Sequence, residues 1–229
     1  MSDVVTTQMR DDGVAVITID DGRKNAMTTP ALAQLREAIA AAEEQATAIV
    51  LAGRPGVFCA GFDLATMTGD DPAAVNALAL GGSEIALALW SCPRPIVAAC
   101  TGHAFTIGAI WLCTADTRIG STSPSKVSMN ETLLGATLPP WALEPLAARV
   151  PTLEWMRTIV QSHVHDSESS VGAGFLDELV EAEGVIERAV EVASGLAQLP
   201  AKAYGINKLA NRGPSIEAMR ADIARLRGG

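Results

Sequence analysis

The sequence predicts an α/β fold, and three observations carry that prediction. Short runs such as Ala48–Gly53 (AIVLAG) and Arg94–Cys100 (RPIVAAC) are apolar almost throughout, as strands covered on both faces are. These runs alternate with stretches whose apolar residues recur at helical spacing. The composition, 48% apolar, 19% charged and only 4% aromatic, suits a globular chain with an aliphatic core. At 229 residues the chain can form one large domain, or a core with a small appendage.

Taken in order, Val14–Asp20 (VAVITID) alternates loosely and is rich in β-branched residues, so it reads as a strand. DGRKNAMTTP follows as a loop, and Thr29-Pro30 opens a helix that places proline in its first turn. AIVLAG is the next strand, RPGVFCAGFDL a glycine-punctuated loop, and about Asp71–Ser91 a helix. RPIVAAC is followed by a turn, a buried helix, and the short strand TRIGST. SMNETLLGATLPP is a loop or short helix, and Trp141–Arg149 is helical. Helices are expected at Glu154–Gln161, Val171–Ala173 and Val185–Gln198, with a turn and short strand at FLDELV. The tail Ala201–Arg227 is an amphipathic helix.

Bulk charge narrows the function. Seventeen basic against 26 acidic residues give a net charge of −9, a field that opposes tracking along a phosphate backbone. Nucleic acid is therefore not an expected partner. Cys59, Cys92, Cys100 and Cys113 form no C-x-x-C pair, as expected of reduced, buried thiols in a cytoplasmic protein. MSDVVTTQMRDDG lacks a signal-peptide pattern. The uncharged run Ile96–Ala115 is long enough to span a bilayer, but its glycines, threonines and histidine fit a soluble strand, turn and helix better.

Two loops after apolar strands offer backbone chemistry. In AIVLAGRPGVFCAGFDL, Ala60-Gly61 can present an amide to a cleft. In RPIVAACTGHAFTIGAIWL, Thr106-Ile107-Gly108 opens a helix, whose first N–H groups have no partner within the helix. Amides of Ala60 and Ile107 converging on one oxygen would stabilise an oxyanion; two ordinary strand-to-helix turns are the alternative. Glu131 stands among Met129, Leu133 and Leu134, where partial burial would raise its pKa and ready it as a general base. A capping role beside Asn130 is the competing reading. Asp63 reads as a helix cap, His163 and His165 as a solvated loop rather than a metal site, and His103 as packed.

As an ordered set, FCAGFDL, PIVAACTGHAFTIGAIWLCTADTRIG and NETLLGATLPP resemble the enoyl-CoA hydratase/isomerase (crotonase) family, and GRKNAMT and VGAGFLDELVE fit it too. The resemblance covers roughly residues 14–181. It implies a crotonase-like spiral of ββα units over 1–182, and a C-terminal helical oligomerisation region over 183–229 that builds a homotrimer or hexamer. It implies an acyl-CoA substrate with no separate cofactor and no metal, and an oxyanion hole from Ala60 and Ile107. It further implies substrate contacts from Ala60, Gly61, Phe62, Asp63, Ile107, Gly108 and Ile110, with Arg23 or Lys24 near the CoA phosphates.

Family hydratases carry two glutamates. The later one matches Glu131; the earlier falls on Ile110, which transfers no proton. Syn-hydration is suited by two carboxylates, whereas a proton shift between C2 and C4 can be shuttled by one. The resemblance therefore implies a Δ3,Δ2-enoyl-CoA isomerase-like enzyme. Hydration or another thioester-enolate reaction is the alternative, and a non-catalytic CoA-binding subunit a third.

Overall fold

The computed structural model describes residues 3–228. The first unit comprises β1 (Val5–Met9), β2 (Val14–Ile19), β3 (Ala26–Met27) and α1 (Thr29–Gln45). The second runs through β4 (Ala48–Ala52), β5 (Gly56–Cys59), β6 (Gly61–Phe62), α2 (Leu64–Met67) and α3 (Pro72–Ser91). The third is β7 (Ile96–Cys100), β8 (Gly102–Phe105) and α4 (Ile107–Thr114); the fourth is β9 (Thr117–Ser121), β10 (Lys126–Ser128) and α5 (Pro140–Ala147). Then follow α6 (Thr152–Trp155), β11 (His165–Asp166), α7 (Ser167–Gly172), β12 (Glu178–Val180), α8 (Val185–Ala197) and α9 (Ala201–Gly228).

The topology repeats one move. The main sheet has the order β1-β2-β4-β7-β9-β12, antiparallel at β1–β2 and parallel elsewhere. A second sheet has the order β11-β10-β8-β5. Thus β4, β7 and β9 each send the chain into a neighbouring strand of the second sheet, β5, β8 and β10, before a helix returns it. Stacking these ββα turns produces the spiral.

Burial explains the apolar strands. Ala15, Ile17, Ile49, Leu51, Ala98 and Cys100 face one core with α1, α3 and α4. Val14, Val16, Val50, Val97 and Ala99 face the other side, where α8 lays down Val185, Ala189, Val190 and Ala193. Both faces are covered, so alternation is lost. All four thiols are buried within these layers and unpaired. Helix starts follow their caps: Thr28 Oγ1 accepts from Ala31 N–H, and Asp71 accepts from Ala73 and Ala74 with Pro72 behind it.

Several elements depart from the sequence expectation. The expected loop RPGVFCAGFDL contains β5 and β6, and the turn after RPIVAAC contains β8. β1 carried no signal because four of its five residues are exposed on an edge. The helix expected at Glu154–Gln161 begins at Thr152 and widens into a π-helical turn at Met156–Val160. α7 starts four residues earlier than expected, at Ser167, where Asp166 and Ser169 form a reciprocal cap. The run Ile96–Ala115 is divided among β7, β8 and α4, all inside the fold. Among the described residues, the one helix long and apolar enough to cross a membrane is instead α3, which packs against α1, α4, α5 and α9.

Candidate active site

Where the second and third ββα units meet, the strand ends open into a cavity of about 610 Å³. Ala60, Phe62, Ile107 and Ile110 line it, together with Asn130, Glu131, Leu134, Leu138 and Trp141 and with Met67, Ala79 and Leu226. Among the described residues, its wall holds one carboxylate, Glu131, and one cation, Lys24.

The start of α4 is built for an incoming acceptor. Thr106 adopts φ 49°, ψ −116°, a conformation costly for a residue with a Cβ, and its side chain makes no cap bond. Its own N–H donates to the Ser128 carbonyl at 3.0 Å, and its carbonyl accepts from Ile110. The Ile107 N–H in the first turn has no acceptor among the described residues. Glycines permit the close approach that holds this helix end: a Cβ on Gly108 would lie 2.6 Å from the Cys59 carbonyl oxygen, and one on Gly61 2.5 Å from Thr106 Oγ1. Gly82 on α3 makes room for the Phe62 ring, which a Cβ there would meet at 2.5 Å.

The second expected donor needs correction. Ala60 N–H is directed at the carbonyls of Lys24 and Asn25, at 3.2 and 3.3 Å, so it is engaged within the protein. Two residues on, β6 pairs with β3, and Asp63 N–H donates to the Met27 carbonyl at 2.9 Å. Strand alternation then turns the intervening Phe62 N–H away from β3. Ala60 lines the cavity but gives its amide to the loop of residues 24–25; the available amide in this segment is that of Phe62. Sequence reasoning missed it because the two-residue strand β6 was hidden in an expected loop.

Asn25 fixes that loop. Fully buried at φ 52°, it donates from Nδ2 to the carbonyls of Ile19 and Phe58, at 2.8 and 3.1 Å, and accepts from Asp21 N–H at 3.0 Å. The junction between β2 and β5 is thereby tied at the cavity's edge.

Glu131 sits at the start of a turn in which its carbonyl accepts from Leu134 and Ala136. Its carboxylate Oε2 is buried with no hydrogen-bond partner. Desolvation in this apolar wall pushes its pKa up to about 7. Ile110, 2% exposed, occupies the helix position where a second acid was sought, and its side chain faces the same cavity.

The remaining candidates divide. Asp63 caps α2, accepting from Thr66 N and Oγ1 at 2.9 and 2.8 Å, bonds that hold its carboxyl below the usual range. Asp63, Gly61 and Gly108 are not among the residues that line the cavity, and Gly61 and Gly108 permit close packing at the start of α4. Lys24 reaches the cavity; Arg23 is exposed outside it, with its carbonyl bound by Arg54. His165 is not in a solvated loop as expected: it is buried, bonded to Thr158 at 2.9 Å and edge-on to His163. No cluster of three metal-ligating side chains exists among the described residues. His103 Nδ1 accepts from Lys126 N–H on β10.

The spiral of ββα units is the crotonase fold, and solved structures match it along nearly the whole chain. Residues 9–221 match the family model described as enoyl-CoA hydratase/isomerase, and the chain belongs to that family. It is 34% identical over 204 residues to the probable enoyl-CoA hydratase EchA14 of Mycobacterium tuberculosis, covering 83% of this chain and 74% of that one. The crystal structure of the enoyl-CoA hydratase EchA3 from Mycobacterium ulcerans superposes with a TM-score of 0.93 at 34% identity, covering 98% of both chains. An apo structure of a Mycobacterium tuberculosis enoyl-CoA isomerase gives 0.92 at 34% identity, over 100% of this chain and 99% of that one. Similar relatives thus carry both activities in their names.

Proposed function

We propose that this enzyme is a Δ3,Δ2-enoyl-CoA isomerase. The observation that carries the reading is the solitary carboxylate: Glu131 shares the cavity with Ile110 and with no second acid among the described residues. The thioester carbonyl of a 3-enoyl-CoA would accept hydrogen bonds from the N–H groups of Ile107 and Phe62. Ionised Glu131 takes a proton from C2, and the electrons pass onto the carbonyl oxygen as an enolate. Helix-end and backbone donors preorganised in an apolar site stabilise such charge without reorienting. Glu131 then returns the proton to C4, and collapse of the enolate leaves the conjugated 2-enoyl thioester. Atoms balance within substrate and carboxyl group, so no cofactor enters. A pKa near 7 suits a group that must both accept and release this proton.

Lys24 at the cavity wall, with Arg23 beside it, supplies positive charge for the CoA phosphates. Leu133 and Leu153, 75% and 96% exposed, are apolar surface that self-association would cover, and light scattering on the purified chain tests the homotrimer or dimer of trimers that the family resemblance implies.

The catalytic test follows the rise of the conjugated 2-enoyl absorbance from 3-enoyl-CoA, with wild type and Glu131→Gln. Wild-type turnover falling about 10²- to 10⁴-fold in the variant is expected. Equal rates in the two proteins would remove Glu131 from the mechanism. Hydration is the second reading, favoured by the relatives named hydratases. Crotonyl-CoA hydration faster than 3-enoyl isomerisation would establish it instead. Acyl-CoA binding without turnover on either substrate would define a non-catalytic CoA-binding subunit.

A further inference from the structure

A second cavity, of about 570 Å³, lies beside the first half of α9, whereas the acyl cavity meets that helix near its end, at Leu226. Tyr204, Lys208 and Arg212 recur every four residues and so present one helix face to it. Trp90 of α3, Asp116 after α4 and Arg149 after α5 complete the polar wall. Lys208, Arg212 and Arg149 oppose a single carboxylate there, an excess of two positive charges.

That carboxylate is fully committed. Asp116 Oδ1 accepts from Arg212 at 2.7 Å, and Oδ2 accepts from Lys208 at 2.7 Å and from Ile96 N–H at 2.8 Å. Glu43, the carboxylate on neighbouring α1, is outside the wall, and burial disfavours its ionisation. The cations are held in place by neutral acceptors that do not cancel their charge. Arg149 donates from Nε and Nη2 to the carbonyls of Cys113 and Ala115, at 3.3 and 2.6 Å. Arg212 stacks 3.7 Å from the Trp90 ring centroid and donates to the Trp90 carbonyl at 3.1 Å. Arg149 Nη1, Arg212 Nε and the side-chain amides of Asn207 and Asn211 have no acceptor among the described residues. Burial lowers the pKa of all three cations, that of Arg212 to about 10, and repulsion adds to it, from Arg118 at Arg149, from Arg149 at Arg212 and from Arg212 at Lys208.

We propose that this cavity binds a phosphate-type dianion, either inorganic phosphate or the terminal phosphate of a monoester. Two charges match the excess of two, and Arg149 Nη1, Arg212 Nε and the amides of Asn207 and Asn211 are the donors left to meet tetrahedral oxygens. The chain as a whole is acidic, so the site acts against the molecule's net field and depends on these close contacts.

The full-length chain is titrated with sodium phosphate at about pH 8 by calorimetry. Its melting temperature is followed in parallel against sodium chloride of equal ionic strength. One phosphate per chain and a saturable rise in melting temperature are expected. Arg149→Lys keeps a charge but loses the Nη1 donor together with the Nε and Nη2 bonds that aim it, and should weaken binding about tenfold. Should that buried replacement fail to fold, the exposed Asn207→Leu and Asn211→Leu variants carry the test and should also weaken binding. Glycerol 3-phosphate run beside inorganic phosphate assigns the source: tighter binding of the ester indicates a monoester ligand, and tighter binding of the ion indicates free phosphate. A non-saturating stabilisation equal in wild type and variants would be a general salt effect and would overturn the proposal. Loss of the binding heat in Lys24→Met would place the phosphate in the acyl cavity and overturn it equally.

Discussion

At the scale of single residues, Glu131 sets two opposing pH dependences. In the proposed isomerisation Glu131 is a base and acts ionised, so kcat/KM should rise with pH and reach half its plateau near 7, its pKa in the fold. Stability moves the other way. The native pKa of about 7 lies above the ordinary 4.5, so between these values the folded chain keeps a proton that the unfolded chain has lost. Stability from this group is complete below about pH 4.5 and is lost as pH rises through 7. Glu131→Gln removes the ionisation, and should stabilise the protein by on the order of 2 kcal/mol at pH 8 while changing little at pH 5. Thermal melts at the two pH values check this. The ordered motifs of the family resemblance aligned Glu131 and Ile110 with its two acid positions, and both residues line one cavity. The sequence misassigned the Ala60 amide because hydrogen-bond direction depends on strand pairing, which residues 60–62 alone do not reveal.

At the scale of elements, the helix α4 works by where its first turn is seated. Gly108 lets that turn rest on β5, and the backbone of Cys59 cannot yield to a methyl group at 2.6 Å. Gly108→Ala should therefore push α4 from β5, cost about 2 kcal/mol in a denaturant titration, and lower kcat at least tenfold by moving the Ile107 N–H. Retained kcat with lowered stability would separate the glycine's packing role from the amide's aim. The long elements were legible: β2, β4, β7, α1 and α3 follow apolar period and caps. The short strands outside the main sheet were not. β5, β8 and β10 of the second sheet, and β6 paired with β3, are two to four residues long, and their pairing is long-range. Their order in space supplies what periodicity cannot.

At the scale of the whole molecule, one carboxylate fastens the last helix to the spiral. Asp116 joins the end of α4 to Lys208 and Arg212 on α9 with 2.7 Å ion pairs whose cations are 6% exposed. Asp116→Asn leaves both cations buried without their counter-charge and should destabilise the chain by about 3–5 kcal/mol. Its melting curve should also lose the steep single transition if α9 separates first. The spiral architecture was readable through the ordered motifs, which fix strand, loop and helix in register. The buried ion cluster was not, since Asp116, Arg149, Lys208 and Arg212 are far apart in the chain and individually unremarkable on helices and loops.

The burial of all four thiols makes the chain its own reporter of intactness. Cys59, Cys92, Cys100 and Cys113 are at most 1% exposed and sit at four different elements, two in the second unit of the spiral and two in the third. Burial also holds their pKa values up, at about 12, 11, 12 and 11 respectively, so the nucleophilic thiolate is scarce even at alkaline pH. A thiol-reactive dye should leave the native protein unlabelled, and mass spectrometry should find the four sites modified together on the timescale of global opening. Early labelling of Cys92 alone would mark the α3 end as a unit that opens ahead of the rest.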